Sequence, residues 1–159
     1  MAYADSGATG GAGKAVRVLI VDDSVTMRGF VALILQASPH IALAGSVGTG
    51  EAAMALVAEE APDVAVVDLE LPDTSGCALA TCLREAGCGV VMLSASPERI
   101  RDATACDDIA VFDKARIMLD RDAFVAALLV AQRPQVADER RAAVTAGASR
   151  QAHASGRLG

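Results

Sequence analysis

The stretch that decides the fold is Pro62-Asp63-Val64-Ala65-Val66-Val67-Asp68-Leu69-Glu70-Leu71-Pro72-Asp73-Thr74-Ser75-Gly76. An apolar run delivers one carboxylate, Asp68, to a strand end, and a loop rich in turn formers follows at once. Open α/β sheets place their chemistry at such ends. Taken alone, Asp68 reads as a nucleophile, a metal ligand or a turn former. The other strand ends must decide.

Upstream, Val16 to Val21 reads as an inner parallel strand, apolar nearly throughout. It ends in two adjacent carboxylates, Asp22 and Asp23, followed by Ser24. Met27, Phe30, Val31, Ile34 and Leu35 then keep the three-and-four spacing of a helix with one buried face. Adjacent acids in that place also serve as plain helix caps. Ile41 to Val47 is the next strand, and Gly48-Thr49-Gly50 turns the chain into a helix over Glu51 to Glu60. Pro62 closes that helix, and the central strand runs from Val64 to Val67.

Downstream, Ala78, Leu79, Cys82 and Leu83 mark a third helix that ends near Gly87 and Gly89. Val90 to Leu93 is a fourth strand, stopping at Ser94-Ala95-Ser96-Pro97. A brief helix over Glu98 to Ala105 leads to a fifth strand, Ile109 to Phe112, and Asp113-Lys114 follows directly. The last helix spans about Asp120 to Gln132, with Phe124, Val125, Leu128 and Leu129 inward. Five strands alternating with five helices predict an α/β fold, a doubly wound five-stranded parallel sheet in three α/β/α layers.

Composition narrows the function. A chain of 159 residues suits one domain with a sizeable core. The net charge of -6 argues against a nucleic-acid protein, which needs a basic excess to neutralise phosphates. Aromatic content of 3% leaves little for base stacking. No apolar run approaches the roughly 20 residues of a membrane span, and the start of the chain lacks a basic-then-apolar export pattern; a cytoplasmic setting is expected. Cys77, Cys82, Cys88 and Cys106 form no C-x-x-C pair, so buried reduced thiols are expected in place of zinc or disulfides. Thr9-Gly10-Gly11-Ala12-Gly13-Lys14-Ala15 looks like a phosphate-binding loop but fails at Ala8, at Ala15 and in lacking a preceding strand.

In a parallel sheet all the carboxyl ends lie on one edge, so Asp22, Asp23, Asp68, Ser94 and Lys114 can converge there. Three acids favour a hard divalent cation, with Mg²⁺ the best match. A cation and a lysine would shield Asp68 from an incoming phosphoryl group, and the serine hydroxyl can donate to a phosphoryl oxygen.

This constellation resembles the receiver domain of bacterial two-component response regulators, over about residues 16–132. The run Val18 to Arg28, which contains Asp22 and Asp23, is especially similar to the opening of the single-domain chemotaxis-type regulators. The resemblance implies a flavodoxin-like receiver fold, with Asp68 as phosphoacceptor, Asp23 as direct metal ligand and Asp22 acting through water. It further implies a backbone carbonyl ligand at Glu70, a switch hydroxyl at Ser94 and the family's lysine at Lys114. Pro72 and Gly76 match the usual loop. The chain departs from the pattern at Ala115, where a proline is usual, and at Val111, where the switch aromatic usually stands; Phe112 reads as a core or helix-facing residue. Short spacings from Asp68 to Ser94 and from Ser94 to Lys114 imply a trimmed helix between strands four and five. These departures touch the usual signalling surface and leave the phosphorylation chemistry in place.

The function expected is that of a single-domain response regulator. Asp68 takes a phosphoryl group from a sensor histidine kinase or histidine phosphotransfer protein with Mg²⁺, and output runs through contact with an unidentified protein partner. The alternatives are a receiver-fold interaction module that works without phosphate, a phosphate sink, or a haloacid-dehalogenase-like phosphatase, which wants an aspartate where Glu70 stands. Any catalysis is confined to the protein's own phosphorylation and dephosphorylation. Residues 1–15 read as a flexible leader. Residues 133–159 carry five arginines against two acids, net +3, which leaves -9 for the rest. This basic tail reads as disordered or as a docking element for an acidic partner, nucleic acid or the acidic body itself. A helix over Ala137 to Ala148 is possible within it.

Overall fold

The structure is a computed structural model that describes residues 13–96, 98–99, 108–132, 139 and 141–147. Its elements are β1 (Val16–Val21), α1 (Val25–Gln36), β2 (Ile41–Val47), α2 (Gly50–Glu60) and β3 (Val64–Asp68), then α3 (Gly76–Glu85), β4 (Gly89–Ser94), β5 (Val111–Asp113) and α4 (Arg121–Ala131). The brief helix expected over 98–105 lies outside the described residues except for Glu98 and Arg99, which are helical. Most of the leader and of the tail, and Cys106, also lie outside them; Glu139 and residues 141–147 are helical.

The sheet is parallel throughout, in the order β2-β1-β3-β4-β5. Its inner strands are apolar on both faces because both faces are covered. Val18, Ile20, Val64, Val66, Val91 and Leu93 pack towards α1 and α4, against Val31, Ile34, Leu35, Phe124 and Leu128. The alternate residues Leu19, Val21, Ala65, Val67, Val90 and Met92 pack towards α2 and α3, against Ala53, Val57, Leu79, Ala80 and Leu83. The result is the three-layer, doubly wound receiver fold. Each of the first three helices starts on a hydroxyl cap: Ser24 accepts from Met27 N at 3.2 Å, Thr49 from Ala52 N at 3.2 Å and Ser75 from Ala78 N at 3.1 Å. Because Ser24 caps α1, Asp22 and Asp23 are not spent on capping.

The residues that mark the third helix do lie in α3, whose inward face is Gly76, Leu79, Ala80 and Leu83, while Ala78 and Cys82 are exposed. Two expectations need correction. Cys82 is accordingly an exposed thiol and Cys77 a half-buried one, and only Cys88 of the three described is buried. The fifth strand begins at Val111, two residues later than its apolar pattern indicates, because pairing with β4 starts at Met92↔Val111. Phe112 packs edge-on against Phe124, with ring centres 5.4 Å apart at 78°, which puts it in the core beside α4.

Candidate functional site

Strand order reverses between β1 and β3: from β1 the chain moves outward to β2, and from β3 it moves the other way to β4 and β5. The crevice beyond the carboxyl ends of β1 and β3 is where such sheets bind ligands. Val21 and Val67 are paired there, so Asp22 and Asp68 stand side by side. Both are buried, at 1% and 5% exposure, whereas Asp23 is exposed at the rim. One carboxylate oxygen from each of the three can lie within 4.8 Å of the others.

Lys114, the residue after β5, completes the cluster. Its backbone N–H donates to Ser94 O at 2.8 Å, which ties it to the end of β4. Its ammonium stands 2.6 Å from Asp22 Oδ2 and 2.9 Å from Asp68 Oδ2. The other oxygen of each acid accepts a backbone N–H: Asp22 Oδ1 from Ser24 at 2.9 Å, Asp68 Oδ1 from Glu70 at 3.2 Å.

Three carboxylates therefore face one ammonium. Burial pushes the Asp68 carboxyl above the usual carboxylate range, the hydrogen bond and charge of Lys114 oppose that, and the charges of Asp22 and Asp23 add to it. Burial acts on Lys114 in the opposite sense, yet its bonds to Asp22 and Asp68 and their charges outweigh it and raise its pKa. Lys114 is thus a fixed cation. The donor set is all hard oxygen with negative charge in excess, and this fits a small divalent cation held by Asp22, Asp23 and Asp68.

The remaining predicted residues lie close by. Ser94 is buried, and its hydroxyl is engaged within its own loop, donating to Ser96 O at 3.0 Å and accepting from Ser96 N at 3.2 Å. Glu70 is exposed; its backbone bridges to Ser75 and its side chain pairs with that of Arg99, also exposed. Gly76 is required by close approach: a Cβ there would lie 2.2 Å from Asp68 O, so only glycine lets α3 start against the strand end.

Three side chains escaped the sequence reading. Asp73 accepts from Gly50 N at 2.9 Å and Glu51 N at 3.0 Å, which fastens the loop after β3 to the start of α2. Those two bonds hold its carboxyl below the usual range. Arg28 donates to Asp22 O at 2.8 Å and braces the turn after β1. Arg99 pairs with Glu70. A loop aspartate near a helix start was a weak hint for Asp73; nothing in the local pattern signals the two arginines.

A doubly wound sheet with an acidic cluster and one lysine at its switch point defines the class, an α/β receiver-type domain. The family model described as response regulator receiver domain matches residues 18–119. The chain belongs to that family. It is 37% identical over 99 residues to a protein-glutamate methylesterase/protein-glutamine glutaminase of Agrobacterium fabrum, an alignment that covers 61% of this chain and 28% of that protein. The chain thus spans about a quarter of the length of the curated relative it matches. Among solved structures it is similar to the signal receiver domain of the response regulator NarL from Mycobacterium tuberculosis, with TM-score 0.61, 27% identity and coverage of 72% of this chain and 97% of that one. It also shares the fold of the response regulator domain of Thermotoga maritima CheB, with TM-score 0.62, 23% identity and coverage of 74% and 96%. Among the described residues no helix is long and apolar enough to cross a membrane.

Proposed function

We propose that this chain is a phosphoacceptor switch in which Asp68 takes a phosphoryl group from a phosphohistidine on a sensor kinase or phosphotransfer protein. The observation that carries the reading is the placement of Lys114 between Asp22 and Asp68, inside an acid cluster at the topological switch point. An oxygen of Asp68 attacks phosphorus, the new P–O bond forms as the P–N bond breaks, and the imidazole leaves. The protonated Lys114 offsets negative charge on the transferring group. Asp23, Asp68 and the Glu70 carbonyl would hold Mg²⁺, with Asp22 in support; a bound ion supplies charge neutralisation that a lysine alone does not. The β3–α3 loop keeps its place because Asp73 fastens it to α2.

The switching step falls to Ser94. Its hydroxyl would leave Ser96 O and turn to a phosphoryl oxygen, dragging the β4 loop with it. With valine at position 111, loop movement carries the signal in place of an aromatic rotation. Output is read as contact with a protein partner in the cytosol, and residues 16–132 as the signalling unit. The esterase activity of the longer relatives is theirs and is not assigned to this chain.

The test is intact-protein mass after incubation with acetyl phosphate and Mg²⁺. One added phosphoryl group, labile to base and absent in D68N, is expected. No mass shift in the wild type, or an undiminished shift in D68N, would refute the reading.

A further inference from the structure

The opposite pole of the sheet holds a third buried carboxylate, one that the phosphoryl chemistry does not use. Asp63 precedes β3 and is 4% exposed. Its main chain joins three strands at their starts: its N–H donates to Arg17 O at 2.9 Å, and its carbonyl accepts from Gly89 N at 2.9 Å. Its side chain is shared as well. Oδ2 accepts from Arg17 N at 2.8 Å, and Oδ1 accepts from Arg141 Nη1 at 3.1 Å. The Arg17 guanidinium is directed elsewhere, to the carboxylate and carbonyl of Glu60. Arg141 is therefore the cation that faces Asp63 among the described ion pairs, and its Nη1 also lies 3.5 Å from Ala61 O.

Arg141 belongs to the basic segment beyond α4. Residues 141–147 are helical, and Ala142 to Gly147 are all exposed. The described residues 142–147 have no buried side chain, and a helix without a packed apolar face draws little stability from the body. Arg141, its side chain only 20% exposed, is the part of the segment that enters the body. A carboxylate buried to this degree is costly unless it is paired with a charge and hydrogen-bonded. Asp63 and Arg141 thus meet each other's requirement.

We propose that the pole around Asp63 is an arginine-accepting docking site whose occupant is this chain's own segment 141–147, clasped by Arg141. The clasp holds the basic segment against the acidic body at the end of the sheet remote from Asp68. Asp63 and Asp68 lie five steps apart along extended strand, about 17 Å. Because the pair is mostly shielded from solvent, moderate salt weakens it less than a surface contact.

The test uses the ¹⁵N-labelled full chain, in wild-type form and as R141A and D63N. The expected wild type shows heteronuclear NOE values at Ala142 to Gly147 close to those of α4. In R141A those values fall to the range of a free tail, and the amide signals of Arg17, Ala61 and Asp63 shift. D63N keeps an oxygen for Arg17 N but loses the charge, so it should release the same residues; if it does not fold, R141A alone decides. Tail-like values at 142–147 in the wild type would overturn the proposal, as would an R141A chain with ordered values and unmoved amides. Phosphorylation by acetyl phosphate is expected to be equal in R141A and wild type, so a failed clasp and a failed phosphoacceptor assignment are told apart.

Discussion

Strand β3 is flanked by two buried aspartates with opposite fates. Asp63, at its start, has each carboxylate oxygen taken by a donor, one a backbone N–H and the other a guanidinium. Asp68, at its end, shares one lysine with Asp22 and sits beside Asp23, so negative charge exceeds positive. Burial is nearly equal, 4% against 5%, so burial does not separate them. Charge balance does, since both oxygens of Asp68 also meet donors: a carboxylate matched by one cation is structure, and one that shares its cation with another acid is a place for a further cation or a phosphoryl group.

The sharpest way to break this contrast is to remove each aspartate and measure unfolding. D63A strips a buried arginine and a backbone N–H of their acceptor and should cost about 3 kcal/mol by urea denaturation. A loss well under about 1 kcal/mol would mean that Asp63 is no hub. The next largest effect belongs to the cation. Mg²⁺ at ten times its dissociation constant should stabilise the wild type by about 1.4 kcal/mol, and D23N should lose most of this; equal stabilisation of both chains would remove Asp23 from the ligand set. D68N removes the charge whose burial, with the nearby charges of Asp22 and Asp23, raises the Asp68 pKa. Without Mg²⁺ it should therefore leave stability unchanged or raise it by up to about 1 kcal/mol, and a loss as large as that of D63A would erase the difference between the two ends.

The loop contacts sharpen the comparison further. Asp73 has a carboxyl pKa lowered from 3.8 by its bonds to Gly50 and Glu51. A depressed folded pKa means its stabilisation is fully present above the unfolded value and is lost as pH falls through the folded one. The stability difference between wild type and D73N should thus hold steady down to about pH 4 and shrink below it. A difference that grows on acidification would contradict the bonding. The smallest effect is R99A: the Glu70–Arg99 pair is exposed on both sides, and such pairs are worth about 0–1 kcal/mol, so unfolding should barely move.

How much of this was legible in the sequence follows from how local each signal is. The run Val64 to Asp68 exposes its strand and its end at once, because apolar residues on both faces belong only to a covered sheet. Asp22, Asp23, Ser94 and Lys114 were legible for the same reason, each sitting where an apolar run stops. What escaped depends on contacts between distant segments. Asp63 and Asp68 look alike in sequence, and only folding brings Arg17 and Arg141 to one and Asp22 to the other. Asp73 needed α2 in place before its role was visible. Which way Ala78 and Cys82 face on α3 was not legible, because they carry too little hydrophobic preference to choose a side. Lys114 was read as a shield between Asp68 and an incoming phosphoryl group; the structure adds that it joins both buried acids.

The central claim is that Asp68, and no other carboxylate of the chain, receives the phosphoryl group. Borohydride reduction of the acetyl-phosphate-treated protein converts an acyl phosphate to the corresponding alcohol, and peptide mass mapping then locates it. A reduced residue is expected at Asp68 alone, with Asp63, Asp22, Asp23 and Asp73 unmodified. A reduced residue at any of those four, or none anywhere in a chain that binds Mg²⁺, would contradict it.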